Sequence, residues 1–83
     1  MIKKSVTFAP KKEAERMIPM LVQTASQYQS RILFSHEEKT ANVKSIMGML
    51  NFTLIPGEAI DVSIEGDDEE EAMARIEEFL TSN

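Results

Sequence analysis

The chain has 83 residues, no cysteine and a formal net charge of −5. That length allows one domain over residues 1–83 whose core is a single layer of helices on one sheet, and the missing cysteine excludes disulfide frameworks, thiolate nucleophiles and cysteine-based zinc sites. Charge is split into +4 over residues 1–57 and −9 over residues 58–83, and the acidic total argues against direct nucleic-acid binding, which rests on clustered Lys and Arg.

Ile2, Val6 and Phe8 alternate with Lys3, Ser5 and Thr7, the period of a half-buried strand whose apolar face Lys4 interrupts. No apolar run approaches the roughly 18 residues of a spanning helix, so a soluble, cytoplasmic protein without membrane contact is expected. From Arg16 the period becomes helical, with Met17, Met20, Leu21, Thr24, Ala25 and Tyr28 on one face and Pro19 expected in the first turn, where its missing N–H costs nothing. Ile32 and Phe34, then Ala41 and Val43, read as a hairpin across His36-Glu37-Glu38-Lys39, with no glycine in the turn.

Ser45 precedes Ile46-Met47-Gly48-Met49-Leu50 and predicts a helix of one or two turns with Ser45 as its N-cap. Pro56-Gly57 makes a turn, and Ile60, Val62 and Ile64 alternate with polar residues in the cleanest strand of the chain, which Gly66 ends. Asp67 and Asp68 can cap a final helix whose buried stripe is Ala72, Ile76, Phe79 and Leu80. The acidic run from Asp67 to Glu71 is read as a helix start facing solvent, and neither a metal nor a cofactor is expected. The order βαββαβα fits an α+β fold with a four-stranded antiparallel sheet and helices on one face.

At Leu21-Val22-Gln23-Thr24-Ala25-Ser26 and at Lys44-Ser45-Ile46-Met47-Gly48 the chain resembles HPr, the phosphocarrier family of the sugar phosphotransferase system. The likeness runs from about Arg16 to the last helix and implies the HPr-like open-faced β-sandwich and a bacterial setting. The family's active-site motif reads His-Ala-Arg-Pro, and the residues in its place are Ala14-Glu15-Arg16-Met17. A phosphohistidine carrier needs an imidazole nitrogen as acceptor, which alanine lacks, and Glu15 adds repulsion toward an incoming phosphoryl group. His36, the only histidine, falls in the hairpin and reads as a surface residue.

The stretch around Ser45 matches the family's regulatory phosphorylation site, so the resemblance implies modification of Ser45 by an ATP-dependent HPr kinase/phosphorylase. It also implies that the phosphorylated form binds a LacI-type catabolite-control repressor or a metabolic enzyme. The Crh-like branch, which lacks the histidine and keeps the serine, has this character. On that reading Ile46, Met47 and Leu50 form an apolar patch beside Ser45. Arg16 is then either a docking residue or the partner of Glu13 or Glu15 in an ordinary ion pair. Two alternatives remain open: a phosphocarrier with an unrecognised acceptor, and a binding module that uses the fold alone. With no nucleophile–base pair and no glycine-rich phosphate loop, the chain reads as a non-enzyme.

Overall fold

Ile60, Val62 and Ile64 all point to one side of β4 (Ala59–Glu65), where each is at most 2% exposed. That strand lies inside a four-stranded sheet of order β1-β4-β2-β3, built with β1 (Ile2–Thr7), β2 (Arg31–His36) and β3 (Lys39–Asn42). All three pairings are antiparallel, and the register sets Ile2 and Ile32 against Ile64, Phe34 against Val62 and Ala41, and Val6 against Ile60. The computed structural model describes residues 1–9, 14–52 and 54–82, and the side chains of residues 14–16 and 82 are outside the described ones.

The helices α1 (Ala14–Ala25), α2 (Ile46–Leu50) and α3 (Glu69–Ser82) complete the order βαββαβα. α3 packs on β1 and β4, α1 on α3 and α2, and α2 on β3, so the core is one apolar layer between sheet and helices. The expected stripe of α3 is buried with Met73 added to it, Ile18 joins the core from α1, and Phe52 and Leu54 join it from a segment where periodicity gave no signal. Each fully buried aliphatic or aromatic side chain contributes roughly 1.5–3 kcal/mol by its removal from water. The opposite face of the sheet carries Lys3, Ser5, Ser35, Asp61 and Ser63 and is uncovered by any of the three helices, which makes the sandwich open-faced. No helix of the described residues is long and apolar enough to cross a membrane.

Lys4, the interruption in the first strand, stands opposite Val62 on the helix-covered side. β1 is an edge strand there, and the Lys4 ammonium reaches Glu77 of α3 at 3.2 Å while remaining largely in water. An inward-leaning charge on an edge strand also discourages pairing with a further strand.

Four expectations are corrected. α1 begins at Ala14, so Pro19 is its sixth residue and not part of the first turn. Pro19 is exposed, and the carbonyl it leaves without an amide donor can be hydrated. Met20, assigned to the buried face, is 56% exposed, because the inward face of α1 runs through Met17, Ile18, Leu21 and Ala25. The hairpin turn is confined to Glu37 and Glu38, with Glu37 at φ 57° supplying the left-handed residue that a glycine was missed for.

The fourth correction concerns the start of α3. The Asp68 carbonyl accepts the first helical bond from Ala72, but its carboxylate does not cap the helix. It crosses to the loop before β2, where it accepts from the Ser30 hydroxyl, from the Gln29 amide at 2.8 Å and from the Ser30 amide at 2.9 Å. Glu69 takes over the local role by accepting from the Gly66 amide at 3.2 Å. Gly66 has φ 153°, and a Cβ there would lie 2.6 Å from the Ser30 Cα, so the two loops meet closely enough to admit only glycine.

The Ser30 hydroxyl, then the Gln29 amide, hold the Asp68 carboxyl below the ordinary aspartate range. A carboxylate whose folded pKa is lowered adds stability above its unfolded pKa of about 3.9 and loses it as pH falls through the folded value. Asp68→Asn is therefore expected to lower the thermal midpoint at pH 7, with the gap from the parent protein closing between about pH 4 and pH 2. Melting curves across that window check it, and a gap of constant size would remove Asp68 from the acid response.

Candidate functional site

Val43, the residue after β3, is buried completely, and from there the chain turns sharply into α2. Asn42 makes the turn: its side-chain oxygen accepts from the Lys44 amide at 2.9 Å and its carbonyl accepts from the Ser45 amide at 3.0 Å. This is an Asx turn, in which a short polar side chain replaces a backbone acceptor. Lys44 Nζ donates to the Tyr28 carbonyl at 2.6 Å and so fastens the turn to the loop after α1. Sequence reading missed both residues, although an Asn three positions before a helix-capping serine was the available signal.

Ser45 is extended at φ −106° and ψ 116°, and its Oγ accepts from the Gly48 amide at 3.2 Å while its carbonyl accepts from Met49 at 3.0 Å. It is the N-cap expected for α2. The hydroxyl is half-buried, and among the described residues no acceptor takes its proton. At the far end the Asn51 side chain donates to the Met47 carbonyl at 3.1 Å, closing a helix too short to persist by itself.

One residue of α2 enters the core. Met49 is wholly buried, whereas Ile46 is 46%, Met47 68% and Leu50 62% exposed. Met20 of α1, the helix against which α2 packs, is exposed as well. Exposed apolar surface grouped on one helix marks a place for contact with another molecule more often than singly scattered residues do.

Ala14 and Arg16 lie in the first turn of α1, and their side chains fall outside the described residues, as does the whole of Glu13. His36 lies at the end of β2, where Nε2 faces a Glu58 carboxylate oxygen at 2.8 Å and Nδ1 the Ala59 carbonyl at 3.2 Å. Both ring nitrogens face oxygen acceptors, and the adjoining carboxylate repels an anionic phosphoryl group. Among the described residues no three of the His, Asp and Glu side chains converge as metal ligands would.

A four-stranded antiparallel sheet, helices on one face and a short serine-capped helix beside the first helix are the arrangement of the open-faced phosphocarrier sandwich. The family model described as the PTS HPr component phosphorylation site matches residues 3–82, and the chain belongs to that HPr family. It is 35% identical over 65 residues to the HPr-like protein Crh of Halalkalibacterium halodurans, which covers 78% of this chain and 77% of the relative. Its fold superposes on the phosphocarrier protein HPr of Bacillus anthracis with a TM-score of 0.88 at 30% identity, covering 96% of each chain. The Bacillus subtilis catabolite-repression protein Crh follows with a TM-score of 0.75 at 26% identity, covering 96% of this chain and 93% of that one.

The geometry separates two kinds of residue in and around α2. Ser45→Ala removes one capping acceptor and is expected to cost about 1 kcal/mol without changing the fold. Met47→Ser, at a side chain largely in water, is expected to shift stability by less than about 0.5 kcal/mol. Urea unfolding of the two variants checks this, and a large loss from Met47→Ser would place that side chain in the core.

Proposed function

We propose that this chain is a regulatory binding protein of the phosphotransferase system and of carbon catabolite repression, switched by phosphorylation of Ser45 and without phosphohistidine transfer of its own. The observation that carries the reading is the pairing of a capped serine, its proton undonated among the described residues, with the exposed side chains of Ile46, Met47 and Leu50 on the same five-residue helix. Phosphorylation at such a point adds about two negative charges and three acceptor oxygens at the rim of an apolar patch. A partner can then require both features at once, the apolar contact for affinity and the phosphate for the state of the switch.

Similarity to two Crh proteins, one of them a catabolite-repression protein, supports a regulatory reading. Because the fold superposes on a phosphocarrier HPr with a higher TM-score, the choice between the two sides of the family rests on the residues. On the resemblance read from the sequence, Ala14 takes the place of the family's phosphorylatable histidine, and alanine offers no atom that can hold a phosphoryl group. His36, with the Glu58 carboxylate against its ring, is a poor substitute, so a carrier with a relocated histidine is disfavoured. The expected modifying enzyme is an HPr kinase/phosphorylase. The expected partner of the phosphorylated form is a LacI-type catabolite-control repressor or a metabolic enzyme, met in the cytoplasm with Arg16 as a docking residue. The chain acts by binding and is not itself an enzyme.

Incubation with an HPr kinase and ATP is expected to add one phosphate at Ser45, and incubation with the phosphoenolpyruvate-dependent enzyme that charges HPr is expected to add none. Intact mass with site mapping reads both. Phosphate from phosphoenolpyruvate would overturn the loss of carrier function, and no phosphate from either reaction would leave a binding module that ignores Ser45. Arg16→Ala is expected to weaken capture of the Ser45-phosphorylated protein by the repressor with little change in melting temperature; equal affinity would remove Arg16 from the docking surface.

A further inference from the structure

Gly48 is the third residue of α2, a place where its own backbone gives glycine no advantage. Gly57 and Gly66 have positive φ of 91° and 153°, and Gly48 does not. A Cβ built on Gly48 would lie 3.5 Å from both Cβ and Oγ of Ser45 and 3.6 Å from the Asn42 carbonyl oxygen, ordinary contact distances that require nothing to move. Alanine is the better helix former, because glycine loses more backbone entropy on folding. Neither conformation nor packing of the unmodified protein therefore explains a glycine at this place.

What a side chain at this position would change is the surrounding of the Ser45 hydroxyl. Gly48 already donates its amide to Ser45 Oγ at 3.2 Å, so its α-carbon stands beside the one oxygen on which the proposed switch depends. A methyl group in van der Waals contact with that oxygen leaves the hydroxyl in place but takes up volume next to it. We infer that Gly48 is a positioning residue for the Ser45 switch, keeping clear the space through which a phosphoryl group reaches and then occupies Oγ.

The inference rests on the proposed phosphorylation of Ser45 and concerns its steric requirement. In that step the Oγ lone pair attacks the terminal phosphorus of a nucleoside triphosphate. A new O–P bond forms, the bond from that phosphorus to the bridging oxygen breaks, the nucleoside diphosphate leaves, and the hydroxyl proton passes to a base of the kinase. The incoming phosphorus carries three further oxygens, and the serine phosphate that results is much wider than the hydroxyl it replaces. Crowding at the acceptor oxygen therefore raises the barrier to transfer while leaving the exposed side chains of Ile46, Met47 and Leu50 unchanged for docking.

The structural and steric roles predict opposite outcomes for one variant. Gly48→Ala is expected to melt at the same temperature as the parent or higher, and to be phosphorylated by HPr kinase with ATP about tenfold more slowly, through kcat with KM little changed. Asn51→Ala, at the opposite end of α2, is the control and is expected to keep the parental rate. If the parent protein takes no phosphate at Ser45, the regulatory reading fails and this inference with it. If the parent is phosphorylated and Gly48→Ala matches its rate, or if Gly48→Ala melts well below the parent, the inference alone fails.

Discussion

The pairing of β4 with a neighbour on each side is the constraint on which the other elements depend. Because Ile60, Val62 and Ile64 must all leave water on one face, both β1 and β2 are held in the one register that places their own apolar residues beside them. A slip of one residue in either pairing would turn Val6 or Phe34 out to solvent. The helices then have a single apolar surface to cover, and α3 meets it with five buried residues. On the edge strand β1 this surface is interrupted by Lys4, whose stem leans inward and whose charge pairs with Glu77.

The candidate site follows from a smaller version of the same constraint. A five-residue helix cannot stand by itself, so its orientation is set by what holds it: Met49 in the core, Val43 before it, and the turn made by Asn42, Lys44 and Ser45. With Met49 turned inward, helical geometry leaves Ile46, Met47 and Leu50 on the outer sides. The exposure of those side chains is thus a consequence of how α2 is anchored. The serine that caps the helix is brought to their edge by the same geometry, which joins a modifiable hydroxyl to a contact surface with no additional structure.

Family membership describes the scaffold more completely than the chemistry. The chain superposes on HPr and Crh proteins over 96% of its length, and a shared fold does not carry a shared reaction, because a reaction rests on particular side chains set on the fold.

Periodicity carried most of the fold, since the alternation at residues 60–65 and the helical stripe at residues 72–80 each allow one arrangement that buries their apolar side chains. Ser45 as an N-cap was legible for the same reason: capping is a local matter between one hydroxyl and an amide three residues on. Periodicity left undecided which residues of Ile46-Met47-Gly48-Met49-Leu50 face outward, because five residues do not define a stripe; the family likeness pointed to Ile46, Met47 and Leu50, and the anchoring of Met49 against the rest of the core is what exposes them. Asp68 shows the other limit. By local rules its carboxylate belongs to the start of α3, and only the approach of a loop 38 residues away, with Gly66 packed on Ser30, gives it three better donors. Groups near in sequence can be weighed from the sequence, and groups brought together by folding compete for the same partners only in the tertiary structure.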